Sequence, residues 1–249
     1  MSTRDIVQDI VKHTAGLGFI TSVKVTGTDE STTLDAMDAD RTVILQAKLH
    51  NTVDEFVGEF GLGNLGFLAG VSALPNYQTD DSTVEVVARD RNGVTSPDHL
   101  MFRDAEGNTD QYRFMSKEII EQTLQTVKFK GVEWDVTLEP TKAKVSELQA
   151  VAGIYGGIEP NFTVKTEAGA LIITVGAADG SFTGKRTFAN NVVGEITAGY
   201  AWPLNQVLAI LRLGMSGTCV MQISKKGALL ISVDSGIGKY DYILPALTV

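Results

Sequence analysis

The segment Gly61-Leu-Gly-Asn-Leu-Gly66 has the G-x-G-x-x-G spacing of dinucleotide-binding loops, whose glycines let the backbone approach a pyrophosphate at a helix N-terminus. That chemistry needs a buried strand before the loop and a βαβ unit around it. Here the preceding residues 53–60 are acidic, and the surrounding strands read as antiparallel meanders. Glu85 lies at about the sequence distance of a ribose-binding carboxylate, but no second βαβ repeat follows. The motif is better explained as a glycine-rich lead into a closely packed helix, with a nucleotide-dependent enzyme as an alternative.

Other residue types that bind metals are also present without a ligand pattern. Asp35, Asp38 and Asp40 lack the glycine and the twelfth-position glutamate of a calcium loop, so a turn between strands explains them. Three histidines lie on different predicted elements: His13, His50 and His99. We therefore expect no metal site, no cofactor and no catalytic residue.

The composition predicts a globular protein with a substantial core. The chain has 249 residues, 43% of them hydrophobic and 20% charged, which suffices for one large or two ordinary domains. Its single cysteine, Cys219, excludes internal disulfides. No apolar run approaches the ~20 residues of a membrane span. The N-terminal sequence lacks the apolar core of a signal peptide, so an intracellular location is the expectation.

The net charge of −9 argues at first against a nucleic-acid partner, because such binding usually depends on a surplus of Lys and Arg. Global charge does not say how the charges are distributed, however. The objection therefore stays open until the elements that carry the basic residues are known.

Helical periodicity alternates with β-rich stretches in a repeated order. Four helices are predicted, each followed by strands, at about 3–14, 64–74, 145–153 and 203–211. Within the second half, Gly169-Ala-Leu-Ile-Ile-Thr-Val175 recurs as Gly227-Ala-Leu-Leu-Ile-Ser-Val233, an offset of 58 that also relates the last two helices. The sequence thus predicts an α+β protein with helices packed on one face of antiparallel sheets. Four equivalent units with few functional side chains favour an architectural rather than a catalytic role.

The polar stretch 116–130 divides these units into two pairs. We predict an N-terminal domain over 1–115, an interdomain connector over 116–130 and a C-terminal domain over 131–249. Each domain would contain two units of helix plus β-meander.

This organisation resembles that of the sliding clamps, and specifically the DNA polymerase processivity clamp of T-even-type tailed phages. Three stretches carry the resemblance, in order and spacing: Thr52-Val-Asp-Glu-Phe through Leu65-Gly-Phe-Leu-Ala-Gly-Val-Ser72, the helix Lys142-Ala-Lys-Val-Ser-Glu-Leu-Gln149, and the end segment from Tyr200 through Lys226-Gly-Ala-Leu-Leu-Ile-Ser-Val-Asp to Tyr240-Asp-Tyr-Ile-Leu-Pro-Ala.

The resemblance implies a head-to-tail homotrimer that closes into a ring around duplex DNA, with helices inside and sheets outside. It also implies a clamp-loader ATPase that opens the ring, a DNA polymerase tethered by peptide contacts, and a location at replicating DNA in the cytoplasm of the infected bacterial host. A protein held by topology needs few phosphate contacts, which removes the objection from net charge.

Three groups of site residues follow from the resemblance. The DNA-facing residues would be Arg4, Lys12, Lys142, Lys144 and Arg212, although the second helix carries no basic residue. The subunit interface would join the strand with Tyr112 and Phe114 to the strand between Phe182 and Phe188. The partner-peptide pocket would contain Tyr242, Leu244, Pro245 and Leu247.

A second hypothesis from another class is a phage structural module, associated with capsid or tail, that does not encircle DNA. It would share the repeats, the acidic composition and the lack of catalytic residues. Its mass in solution would differ from that of a trimer.

Overall fold

The computed structural model describes residues 2–91, 93–124, 129–177, 180–197 and 199–247. The chain forms two compact units, and each takes a short segment from the other half of the sequence. Unit 1 consists of Met1–Ala39, Leu45–Val127 and Gly236–Tyr240, and unit 2 of Asp40–Ile44, Lys128–Ser235 and Asp241–Val249.

Unit 1 contains two antiparallel sheets. Their strands are β1 (Val23–Gly27), β2 (Thr32–Met37), β3 (Ile44–Leu49), β4 (Gly58–Leu62), β5 (Thr83–Arg91), β6 (Val94–Arg103) and β7 (Thr109–Arg113). The unit 1 strands of one sheet follow the order β4-β1-β2-β3, and the other sheet has the order β5-β6-β7. Burial alternates along β1 and β2, so that one face of each strand is in the core.

Two helices pack against each other in unit 1, α1 (Thr3–His13) and α2 (Leu65–Ser72). A capping box starts α1: the Ser2 hydroxyl accepts from the Asp5 backbone, and the Asp5 carboxylate accepts from the Ser2 backbone. The side chains of Ile6 and Ile10, one turn apart, are buried. Helix α1 therefore forms where its periodicity and its cap predict it.

The predicted connector is partly helical, which the polar sequence does not indicate. Helix α3 (Lys117–Thr123) packs on β4 in unit 1, with Ile120 fully buried. Ile120 fits because its neighbour on β4 is Gly61: a Cβ there would lie 2.7 Å from the Ile120 Cβ. Residues 125–128 of the predicted connector lie outside the described residues. The domain boundaries remain a prediction.

Unit 2 repeats the plan of two sheets. Its strands are β8 (Val136–Leu138), β9 (Asn161–Glu167), β10 (Ala170–Gly176), β11 (Thr183–Ala189), β12 (Tyr200–Pro203), β13 (Thr218–Ser224), β14 (Ala228–Asp234) and β15 (Gly238–Pro245), whose first three residues belong to unit 1. One sheet has the order β11-β10-β9-β12 and the other β15-β14-β13-β8. Strands β10 and β14 begin and end 58 residues apart, which confirms the repeat found in the sequence.

Two helices also pair in unit 2, α4 (Lys142–Tyr155) and α5 (Leu204–Gly214). The Thr141 hydroxyl caps α4 by accepting from the Lys144 backbone at 3.3 Å. Helix α5 packs on β12, β13 and β14, and α4 packs on β10. Among the described helices, none has the length and hydropathy to cross a bilayer.

Candidate functional site

The exposed faces of the paired helices carry the residues predicted to face DNA. In unit 1 the α2 face is uncharged, with Gly66, Phe67 and Gly70 exposed, because the short helix carries no Lys or Arg. On α1 the exposed positions include Asp5 and Lys12, which are of opposite charge. The unit 1 helix pair therefore offers little net positive charge.

Arg4 is bound within unit 1. Its Nη1 donates to the Ser82 hydroxyl at 2.8 Å and to the Thr79 carbonyl at 2.5 Å. One turn on, the Gln8 amide donates to the side chain of Gln78 at 3.1 Å. The polar face of α1 thus binds the segment between α2 and β5, which sequence periodicity could not reveal because these partners lie at least 70 residues away.

The unit 2 helices carry the remaining predicted cations. Lys144 is half-buried and its Nζ lies 2.8 Å from the Glu147 carboxylate, three residues along the same helix. Lys142 and Arg212 are exposed, and within the described part of the chain their side chains form no ion pair or hydrogen bond. The start of α4 and the end of α5 lie side by side, since Lys142 and Gly214 line one cavity of about 260 Å³. These two cations are therefore at the same end of the helix pair.

Charge is distributed unevenly over the molecule. The paired helices α1, α2, α4 and α5 contain five Lys and Arg residues against three acidic ones, whereas the whole chain has a net charge of −9. The acidic excess consequently lies on the sheets, the loops and α3. The paired helices are therefore less acidic than the rest of the chain.

Three of the four aromatics predicted at the subunit interface are buried within their own units. Tyr112, Phe114 and Phe188 are at most 8% exposed, and the Phe114 ring stacks on Phe60 at 4.5 Å within unit 1. These side chains fill the cores of their own units, because they occupy the inward positions of their strands. Only Phe182 among the four is exposed, at 65%.

The strands that carry those aromatics nevertheless lie at sheet edges. Within the described residues, β7 pairs only with β6 and β11 only with β10, so each leaves one side of its backbone open. An exposed aromatic accompanies each edge. Phe67 of α2 stacks on Tyr112 with 6.4 Å between ring centroids, and Phe182 immediately precedes β11.

The β11 edge has further exposed apolar neighbours that the sequence analysis missed. Tyr155 of α4 lies against Gly184 of β11, where a Cβ would be 3.1 Å from the ring. Ile154 and Ile158, on either side of Tyr155 in sequence, are both exposed. We group these two residues with Phe182, which immediately precedes β11, as the β11 patch: Ile154, Ile158 and Phe182.

Two of the four residues predicted in the partner pocket are also buried. Tyr242 and Leu244 are fully buried, and the Leu244 carbonyl accepts from the Trp202 indole at 3.0 Å. They are core residues because β15 is buried along most of its length. Pro245 is exposed, and Leu247 lines a cavity of about 450 Å³ on the β9-β10-β12 side of unit 2. Its other lining residues are Glu159, Asn161, Thr163, Thr174, Gly176, Ala177, Gly180, Thr183 and Ala201.

The dinucleotide-like glycines pack against side chains. A Cβ at Gly61 would meet Ile120, and one at Gly63 would lie 2.5 Å from the Met115 sulfur. The preceding strand β4 pairs antiparallel with β1 and the Gly63 carbonyl accepts from the Tyr112 hydroxyl, so no βαβ unit surrounds the loop. The motif serves close packing.

The remaining His, Cys, Asp and Glu residues of the described ranges do not come together in a metal site. Across the described ranges, no three His, Cys, Asp or Glu side chains are grouped so that they could hold a metal ion. Burial raises the pKa of the Cys219 thiol to about 11, which disfavours the reactive thiolate.

A second cavity of about 450 Å³ lies in unit 1, where β4, β6 and the start of α3 meet. The Lys117 ammonium lies 2.7 Å from Glu59 Oε2 at its edge, and this contact, with a further one to Lys24, lowers the pKa of Glu59. These groups fix α3 on β4.

No protein-family model matches the sequence, and no curated protein matches it. Solved structures do. A. fulgidus PCNA bound to the C-terminal region of FEN-1 is 10% identical with a TM-score of 0.70, over 100% of this chain and 97% of that chain. PCNA from Thermococcus kodakaraensis is 13% identical with a TM-score of 0.68, covering 99% and 98%. The PCNA2-PCNA3 complex from Sulfolobus tokodaii is 13% identical with a TM-score of 0.67, covering 99% and 97%. The chain therefore has the sliding-clamp fold over its whole length.

Proposed function

We propose that this protein is a DNA sliding clamp, a processivity factor whose ring encircles duplex DNA and tethers a replicative polymerase. The observation that carries the proposal is the fold similarity to PCNA over the entire length of both chains. The segregation of charge supports it, because basic residues are concentrated on the paired helices of a protein that is otherwise acidic.

Three copies would assemble head to tail into a closed ring. The open edge of β7, beside Phe67, would pair with the open edge of β11 in the next copy. The β11 patch would lie over this contact. Two different open edges on one chain favour such a heterologous contact, which gives a ring when the rotation closes. Exposed aromatics beside both edges would be buried by the contact.

Partner proteins would dock on unit 2 through a peptide. The C-terminal region of FEN-1 is the bound partner of the A. fulgidus clamp, which shows that a chain of this fold binds a terminal segment of another protein. Here the cavity beside Leu247 has both apolar and hydroxyl-bearing walls, which suit a peptide. We propose that the polymerase binds in this cavity and that a clamp-loader ATPase opens the ring.

The three stretches that resemble the T-even clamp support a phage origin, with action in the cytoplasm of the infected bacterium. Catalysis by the ring itself is not part of the proposal. If the glycine motif bound a nucleotide, NAD or ATP would raise the melting temperature by mass action, and we expect no shift.

Two measurements test the proposed function. Light scattering should give a mass of ~80 kDa, three times 26.7 kDa. With a clamp loader and ATP, the protein should be retained on nicked circular DNA at high salt and released when the circle is linearised. Encirclement would be contradicted by a monomer at every concentration, or by a protein that stays bound after the circle is linearised. Assemblies larger than a trimer would favour the phage structural module.

A further inference from the structure

We infer that DNA contact in the proposed clamp is carried by the unit 2 helix pair, through Lys142 and Arg212, and that Arg4 is a positioning residue that does not bind phosphate. The inference rests on the proposed function and goes beyond it by making the two units unequal toward DNA. It follows from the contacts of Arg4 and Lys144 and from the distribution of charge over the two helix pairs.

Arg4 is committed to the fold of unit 1. Its guanidinium binds the Ser82 hydroxyl and the Thr79 carbonyl, and its Nη1 lies 3.5 Å from the Tyr77 carbonyl. These contacts are all made by Nη1, and they hold the guanidinium against the 77–82 segment. Turning it toward a phosphate would break these charge-assisted bonds, and the single proton of the Ser82 hydroxyl could replace Arg4 at only one of the two carbonyls. Arg4 therefore holds α1 on the segment between α2 and β5, where Gln8 binds Gln78 in the same way.

The rest of the unit 1 helix pair adds no net positive charge. Helix α2 is uncharged throughout, and its exposed positions are small or aromatic. On α1, Asp5 and Lys12 are both exposed and of opposite sign, while Asp9 is buried and accepts from the Tyr240 hydroxyl at 2.7 Å. A phosphate backbone passing this face would meet a surface with little attraction.

The unit 2 pair differs because two of its three cations form no ion pair within the described residues, although Glu139 lines the same cavity as Lys142. Lys144 is held by the Glu147 carboxylate at 2.8 Å, and the same carboxylate lies 3.9 Å from Arg186 Nε. Lys142 in the first turn of α4 and Arg212 in the last turn of α5 are exposed, and the described residues supply neither with an ion-pair partner. Because the two helix ends border one cavity, both cations project from the same end of the pair. Each protomer then offers two phosphate contacts from one unit.

The count of contacts sets the salt dependence of binding. Each phosphate neutralised contributes a slope of about −0.9 to log K against log salt, so one lost contact weakens binding roughly tenfold at 0.05 M salt. The experiment measures binding of the assembled ring to a fluorescent 24-bp duplex by anisotropy. The NaCl concentration is varied from about 0.03 to about 0.2 M, over which the Debye length falls from about 18 to about 7 Å. The variants are K142Q/R212Q, R4Q, R4K and, as a control on the sheet surface, K48Q.

We expect K142Q/R212Q to weaken binding at least tenfold and to flatten the salt slope by one or more. Both R4Q and R4K should bind like the parent, within twofold and with the same slope, but melt at lower temperature because the bonds to the 77–82 segment are altered. K48Q should change neither property. Thermal melting and light scattering on every variant show whether it is folded and assembled, and R4K retains the charge if R4Q does not fold.

Equal losses of affinity and slope in R4Q and K142Q/R212Q would overturn the inference, as would recovery of binding in R4K but not in R4Q. These results differ from failure of the proposed function, in which the parent ring itself would not bind the duplex or be retained on circular DNA.

Discussion

Hydrogen bonds to a single side chain near the surface shift the pKa of Asp104. Its carboxylate accepts from the side chains of Asn76 and Asn108, and these hydrogen bonds lower its pKa from 3.8 to about 2. Because the folded-state pKa is the lower one, the unfolded chain takes up the proton first as pH falls. The stabilisation is complete above about pH 4 and is lost between pH 4 and 2.

Replacing Asp104 by Asn should therefore flatten the fall in unfolding free energy between pH 4 and 2 relative to the parent. Urea titrations at several pH values measure this. Asp81→Asn is the matched control, because Asp81 is an exposed aspartate without a hydrogen bond in the described part of the chain. An equal pH slope in Asp104→Asn and the parent would show that these hydrogen bonds do not stabilise the charged form.

Gly61 tests the packing interpretation of the glycine motif. Alanine at this position would place a Cβ 2.7 Å from Ile120, so we expect a loss of about 1–3 kcal/mol from overpacking and a loosened α3. Gly66, in the same motif but with nothing within 4 Å, is the control, and alanine there should stabilise α2 by about 0.5–1 kcal/mol. Urea unfolding measures both, and similar effects of the two substitutions would contradict a specific role for Gly61 in packing.

At the scale of elements, local sequence predicts some parts of the molecule and not others. The predicted helix at 3–14 agrees with α1 within one residue, because a cap and helical periodicity are local signals. Strand β4 has two glycines in five residues and α3 is polar, so neither has a strong local signal. They form because β4 pairs with β1 and because Ile120 is buried on Gly61, contacts between distant residues.

Sequence likewise predicts some features of the candidate site, while others depend on contacts between distant residues. Periodicity predicts Arg4 within a helix, whereas Lys142, Lys144 and Arg212 lie just outside the predicted ranges 145–153 and 203–211 and are helical in the structure. It could not show that Arg4 binds Ser82 or that Lys144 is paired. The apolar residues of β7, β11 and β15 were identified as strand residues. Which of them face the core depends on the packing of each sheet, and this made Tyr242 and Phe188 core residues rather than contact residues.

The β11 edge gives a prediction at this scale, because its two phenylalanines differ in burial. Phe182→Asp should leave the unfolding of an isolated chain within about 0.5 kcal/mol, as surface substitutions usually do, while it weakens self-association. Phe188→Ala, in the core, should cost about 3–5 kcal/mol. Sedimentation and urea unfolding separate the two effects, and a Phe182→Asp variant that still assembles like the parent would exclude the β11 patch from the interface.

At the scale of the whole molecule, assembly and stability must be linked if the protein is a trimer. Unfolding of a trimer into three chains is favoured by dilution, so its midpoint depends on protein concentration. For a three-chain assembly, each tenfold increase in concentration should stabilise each chain by about 0.9 kcal/mol, from two-thirds of RT ln 10. A dimer would give about 0.7 kcal/mol by the same relation, and a monomer none.

We expect the urea midpoint of the parent to rise with concentration between 0.1 and 100 μM (about the range in which protein interfaces of ordinary affinity dissociate), and that of Phe182→Asp to rise less or not at all. Phe188→Ala is the complementary control, because it should lower the midpoint while its dependence on concentration persists. A parent midpoint that stays constant while light scattering reports a trimer would mean that the contact between copies adds no stability, and the burial of exposed apolar side chains at the β7 and β11 edges could then not be what holds the ring together.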